Sequence, residues 1–270
     1  MLEYPSMLNK TKEKYRYIHL IREIAVTDFK LKYQGSVLGY LWSLVKPLAL
    51  FTVLYVVFTV IFKLGAGIPH YPVYLLLGVM IFGFWGEATS GAMNSIASKG
   101  DLIRKIYFPR IVLVISATIT SLITFSLNML VVIFFAYLNG VHLGWSIFLA
   151  IPFIIELYIF ILGVSFYLSS LFVKFRDIGH IWEVVNQALF YATPLLYSLA
   201  AVPKVYARLM ILSPLAQTIQ NIRAAFIGSS VLTISDYWRF PLLPEILVLV
   251  IFVSGYFIFQ NMAAKFAEEI

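Results

Sequence analysis

The chain is predicted to be an all-α integral membrane protein, on three observations. Hydrophobic residues make up 61% of its 270 residues and charged residues only 12%, where a soluble domain carries about 25%; the mean hydropathy is +0.90. Apolar runs at roughly 41–62, 71–93, 111–138, 145–173, 178–202 and 242–263 are each long enough to cross ~30 Å of hydrocarbon as a helix. Lys and Arg, finally, are shared unequally between the loops that six such spans define.

The elements follow in order. Residues 1–36 form an N-terminal segment, and 37–270 the membrane domain. In "YRYIHLIREIAVTDFKLKY", Ile18, Ile21, Ala25 and Phe29 recur at helical spacing beside Arg16, Arg22, Glu23 and Lys30. That pattern predicts an amphipathic helix lying in the membrane interface, ended by Gln34-Gly35. The first span carries Lys46 near its start, where a long side chain snorkels to the headgroups.

Between the second and third spans lies "ASKGDLIRKIYFPR", with Lys99, Arg104, Lys105 and Arg110 in a dozen positions. Asp101 is placed to cap a short helix, and Pro109 to end it. Leu102, Ile103, Ile106 and Tyr107 then share one side, with Arg104 and Lys105 on another. An apolar face with a basic rim fits either a cleft on a partner protein or the surface of anionic lipid.

The third span contains no charge, the fourth contains Glu156 and the fifth Glu183. Between the fifth and sixth, over 203–230, "VYARLMIL" and "PLAQTIQNIRAAFI" are bounded by Pro203, Pro214 and Gly228. Both are too short to span, and read as re-entrant or interfacial helices or as an ordinary loop.

Six spans place both termini on one side of the membrane. Fifteen of the 20 Lys and Arg fall on that side, leaving Lys63, Lys204, Arg208, Arg223 and Arg239 on the other. Cytoplasmic loops are the positive ones, so both termini are expected in the cytoplasm. The net charge of +7 is thereby a topology signal, and no nucleic-acid partner is expected. No segment with a signal-peptide core and cleavage site is visible in the first 36 residues.

The sequence shows no chemical engine. It has no G-x-x-x-x-G-K-[ST] loop to cradle nucleotide phosphates and no H-E-x-x-H. There is no cysteine, and His19, His70, His142 and His180 are scattered, so no metal site, cofactor or catalytic residue is expected in this chain. Costly charges are the other signal. Glu87, Glu156 and Glu183, with Arg176, Asp177 and Arg223, sit in or against the spans. An unpaired charge there costs ~2.5–3.5 kcal/mol or more, so each glutamate either pairs structurally, as Glu183 could with Arg176 or Asn186, or belongs to a proton relay. Aromatic residues reach 17%. Tyr74, Phe84 and Trp85 on the second span and Phe190, Tyr191 and Tyr197 on the fifth could stack weakly on a passing substrate, or simply fill space.

Four ordered stretches carry a resemblance: "DFKLKYQGSVLGYLWSLVKPL" (28–48), "LIRKIYFPR" (102–110), "FRDIGHIWEVVNQALFYATPLLY" (175–197) and "LSPLAQTIQNIRAAF" (212–226). Together they are similar, nearly end to end, to ABC-2 type permeases that export polysaccharides such as lipopolysaccharide O-antigen, capsule and wall teichoic acid. Ser213 departs from the Asn common before that Pro. The resemblance implies a homodimer of this chain in the bacterial cytoplasmic membrane with two copies of an ABC-type ATPase subunit, which holds the ATP and Mg. It makes residues 99–108 the coupling helix (Asp101, Leu102, Ile103, Arg104, Lys105, Ile106, Tyr107) and 205–227 re-entrant gate helices on the outer side. The substrate would be a lipid-linked polysaccharide. An ABC-2 exporter of a drug or small lipid is the alternative. A secondary transporter would need internal repeats, and none is evident; a glycosyltransferase would need acidic loops, whereas the external loops hold only Asp236.

Overall fold

The computed structural model describes residues 7–63, 65, 67–105, 108–228, 230–264 and 266. The described residues form ten α-helices and no strand. Helix α1 spans Met7–Tyr33, α2 Trp42–Tyr55, α3 Tyr71–Ser95, α4 Gly100–Lys105 and α5 Ile111–Leu138. The series continues with α6 Ala150–Lys174, α7 Ile178–Ala192, α8 Lys204–Met210, α9 Pro214–Ile227 and α10 Leu243–Ala263. Among the described residues, five continuous helical stretches are long and apolar enough to cross a membrane: Gly39–Ile61, Tyr71–Ser95, Ile111–Leu138, Trp145–Lys174 and Leu243–Ala263.

The apolar run at 178–202 is not one helix. Only α7 is helical, and its 15 residues reach ~22 Å at 1.5 Å per residue. The cause is Pro194, whose ring forces the preceding residue out of the helical region: Thr193 is extended at φ −86°, ψ 139°. The chain then runs irregularly to a 3-10 turn at Leu199–Ala201.

Helix α3 is the centre of the bundle. It packs against α2, α5, α6, α7 and α9, and 78% of its most apolar window is buried. In contrast, the stretch containing α2 is only 6% buried and α10 only 17%, so both present apolar side chains outward. Without a hydrophobic drive between helices in lipid, close approach is what holds them. Gly163 on α6 and Gly255 on α10 supply it. A Cβ at Gly163 would stand 2.8 Å from the Phe252 backbone, and one at Gly255 would stand 2.5 Å from the Gly163 carbonyl oxygen.

Helix α1 is not isolated from the bundle. Its Ala25 is buried against α5, where the Thr120 hydroxyl donates to the Ala25 carbonyl at 3.1 Å. Ile21 and Phe29 are half-buried on the same face, whereas Ile18 is exposed. At the opposite end of the bundle, His70 Nδ1 lies 3.1 Å from the Asn139 carbonyl, fastening the α2–α3 loop to the end of α5.

Candidate functional site

The interruption after α7 leaves backbone carbonyls without helical partners inside an apolar bundle, where each unmet group is expensive. Helix α9 answers it. It begins with Pro214 at its first turn and stops at Gly228, whose φ of 96° favours glycine. Between them Gln217, Thr218, Gln220, Asn221 and Arg223 are all buried, an unusual load of polar side chains for one short helix.

Arg223 is fully buried. Its Nε donates to the Tyr74 carbonyl at 3.0 Å. Nη1 donates to the Pro194 carbonyl at 2.6 Å and to Gln220 Oε1 at 3.1 Å, and Nη2 to the Leu195 carbonyl at 2.7 Å. The guanidinium carbon lies 3.5 Å from the centre of the Tyr74 ring, a cation–π contact made in a desolvated place. The next two carbonyls are met from α3: Tyr71 Oη donates to Leu196 at 2.8 Å and Tyr74 Oη to Tyr197 at 3.1 Å. Four consecutive carbonyls, 194 to 197, therefore each receive a side-chain donor. Gly78 completes the arrangement, since any Cβ there would collide with the Arg223 guanidinium.

The predicted aromatic candidates divide by exposure. Tyr74, Phe84 and Trp85 are buried inside the protomer. Phe84 stacks on Phe125 at 4.5 Å, and Trp85 on Phe160 at 4.9 Å, while Trp85 Nε1 donates to Asn186 on α7 at 3.1 Å. Phe190 is half-buried edge-on to Phe82 at 5.3 Å. Tyr197 is half-buried, its hydroxyl donating to the Tyr191 carbonyl at 3.1 Å. Tyr191 alone among the six is exposed, at 64%.

The membrane charges find different solutions. Lys32 Nζ lies 2.8 Å from Glu87 Oε1, so α1 supplies the partner that Glu87 lacks within its own helix. Lys99 pairs with Asp28 at 2.5 Å, a second tie from α1 that sequence spacing does not suggest. Glu156 is half-buried with one oxygen unpartnered. Nearer the α9 end, Gln217 donates to Glu245 at 2.7 Å. Glu183 is exposed on α7, and among the described residues no ion pair joins it to Arg176; Arg176 instead stands over the Phe172 ring at 5.2 Å. Asp177 precedes α7 without a side-chain capping bond.

At the other end, α4 follows a 3-10 turn at Ala97–Lys99. Asp101 lies in its first turn and Arg104 and Lys105 in its last, all three exposed. Leu102 and Ile103 are half-buried, and Ile103 packs against the protomer's own cluster of Ala92, Ile96, Val114 and Phe166. Ile106 and Tyr107 lie outside the described residues. Among the described residues, no group of three His, Asp or Glu could hold a metal ion.

Five apolar helical stretches of membrane-crossing length, packed into one bundle, are the architecture of a multi-pass membrane protein. The chain belongs to the ABC-2 type transporter family, whose sequence profile matches residues 19–227. It is similar to an O-antigen export system permease protein (RfbA) of Myxococcus xanthus, 26% identical over 98% of this chain and 100% of that one. A protein of the same name from Klebsiella pneumoniae is 28% identical over 95% of this chain and 98% of its own length. A capsule polysaccharide export inner-membrane protein (CtrC) of Neisseria meningitidis is 24% identical over 85% of each chain.

Proposed function

We propose that this chain is the permease subunit of an ATP-driven exporter that moves a lipid-linked polysaccharide across the bacterial cytoplasmic membrane. The observation that carries the reading is its end-to-end similarity to permeases of O-antigen export. The missing phosphate-binding loop fits it, because ATP and Mg then sit on a separate ABC-type ATPase, two copies per pair of permeases. Exposed Asp101, Arg104 and Lys105 on α4 are the coupling surface for that partner.

The surface of the protomer supports a homodimer. Helix α7 buries none of its residues within the protomer and presents Ile181, Val184 and Tyr191 outward, as does most of α2. A second copy and a polymer path between the two copies are the occupants this proposal assigns. In that path Tyr191 offers a ring face and Phe190 and Tyr197 offer edges; Tyr74, Phe84 and Trp85 stand behind the wall and hold it. Helix α7 and the irregular stretch to 202 together make the fifth of six crossings, α8 and α9 are re-entrant on the outer side, and both termini are cytoplasmic, where most Lys and Arg then fall. O-antigen, teichoic acid and capsule are the substrate types.

The test is reconstitution. Purified chain alone should hydrolyse no ATP, and the complex with its cognate ATPase should hydrolyse ATP and translocate lipid-linked polysaccharide into proteoliposomes. Hydrolysis by the chain alone, or transport of small amphiphiles without polymer, would overturn the proposal.

A further inference from the structure

A cavity of about 890 Å³ opens between the end of α1, the first turns of α2 and the facing sides of α3 and α5. One wall is apolar, with Met80, Phe84 and Phe125. The other features are polar and uncommon at such a place. Lys32 and Lys46 both line it, but only Lys32 meets a carboxylate, that of Glu87. Lys46 has no ion-pair partner among the described residues. Ser121, Thr124 and Asn128 also line it, three and four residues apart on one face of the charge-free α5. Asn128 is 7% exposed and its side-chain oxygen has no hydrogen-bond partner. Among the described residues the cavity thus carries one positive charge without an ion partner and a buried amide oxygen without a donor, both of which a ligand with an anionic group and a hydroxyl would satisfy.

A second, apolar groove of about 520 Å³ adjoins it, sharing Ser36 and Ser43 and running along Leu44, Leu127 and Leu130. A cationic and polar compartment joined to an apolar groove matches a molecule with an anionic head and a hydrocarbon tail. Basic pockets between membrane helices bind lipid headgroups in this way. We propose that this cavity is a binding site, within one protomer, for the phosphate headgroup of an anionic lipid. The phosphate sits against Lys46, a hydroxyl of the head donates to the Asn128 oxygen, and the tail lies in the groove between α2 and α5. The site is separate from the polymer path proposed between protomers and does not depend on polymer export.

The same headgroup chemistry belongs to bilayer phospholipids and to diphosphate lipid carriers, so the probes include both. Binding to the complex of this chain with its cognate ATPase, in neutral maltoside detergent, is measured by native mass spectrometry for phosphatidylglycerol, phosphatidylcholine, a polyprenyl diphosphate and inorganic pyrophosphate. At least one of the two anionic lipids should bind tenfold or more tightly than phosphatidylcholine and than pyrophosphate; the tighter of the two identifies the natural source. Lys46→Gln, at an exposed position, should remove that preference without altering the melting temperature. Lys46→Arg should retain it, and Asn128→Leu should weaken it severalfold. Equal binding of phosphatidylcholine, equal binding of free pyrophosphate, or an unchanged preference in Lys46→Gln would each overturn the site. Export is scored separately, so loss of the lipid preference with export intact leaves the transport reading standing.

Discussion

Replacing Arg223 with Met should loosen the whole α9 end of the protein. Methionine fills much of the same volume but donates nothing, so the carbonyls of Pro194 and Leu195 lose their donors and that of Tyr74, inside α3, keeps only its helical one. An unmet buried carbonyl costs ~1–3 kcal/mol, and a cation–π contact worth ~2 kcal/mol in a dry site disappears with the charge. The opposing term is the desolvation of the guanidinium, several kcal/mol that the variant no longer bears. The unmet carbonyls and the lost ring contact should exceed that relief by ~3 kcal/mol, the scale of a broken buried hydrogen-bond network. For a chain of this size that is a fall in melting temperature on the order of 10 °C. Arg223→Lys should fall between, because one ammonium cannot reproduce the planar fork that reaches two adjacent carbonyls. The assay is thermal unfolding in neutral detergent, paired with labelling of a single cysteine introduced at the buried Thr193, which the cysteine-free sequence allows. Arg223→Met should speed labelling near the break as well as lower the melting point. A melting point within about 2 °C of the parent, the measurable limit for a sub-kcal change, with unchanged labelling would refute the carbonyl account.

Four other outcomes can be measured. Gly78→Ala attacks the same contact from α3 and should lower the melting temperature without removing a donor; the double variant with Arg223→Met should be less than additive. Gly163→Val forces α6 from α10 and should destabilise by ~1–3 kcal/mol or more as overpacking does, read as loss of monodisperse protein on size exclusion. Tyr191→Ala should slow polymer export with melting and ATPase activity near parental values, whereas Phe84→Ala should cost ~3–5 kcal/mol as a core deletion; the comparison is export per folded complex. Arg104→Glu with Lys105→Glu should abolish copurification of the ATPase while membrane insertion continues, a pull-down that normal recovery of the partner would decide against.

Much of the architecture was legible in the amino acids. Length and apolarity marked α3, α5, α6 and α10 to within a few residues, because a bilayer thickness sets helix length directly. Pro203, Pro214 and Gly228 bracketed α8 and α9 for local steric reasons. The run at 178–202 is not the single helix that its hydropathy suggests, because hydropathy weighs side chains and is blind to whether the backbone beneath them is helical. Pro194 was the local warning. What makes the break tolerable is non-local: Arg223 lies 29 residues away and Tyr71 and Tyr74 more than 120. Sequence counting assigned Arg223 to a side of the membrane without showing that it is fully buried, and gave Lys99 no partner, although it binds Asp28. Charge totals locate a residue on a side of the membrane; they carry no information about its depth or its partner. Of the six aromatic candidates, composition could not separate the exposed Tyr191 from the buried Trp85.

The four fastened carbonyls have a mechanical consequence. They weld the end of α7 to α3 and α9, while along its length α7 rests on α3 from one side only, through Trp182 against Trp85, Asn186 on the Trp85 indole and Phe190 against Phe82. A rod clamped at one tip and leaning on one side is a cantilever that can deflect away from its support. Its stiff end is at residues 194–197 and its looser end at Asp177, beside the extended Phe175 that separates it from α6. Deflection of the rod therefore grows along α7 away from the clamp, greatest where the chain turns back from α6 and least beside Tyr197. A displacement applied at the Asp177 end reaches the clamped end as torque with little translation, so the ring at Tyr191, one turn from the fulcrum, rotates more than it travels.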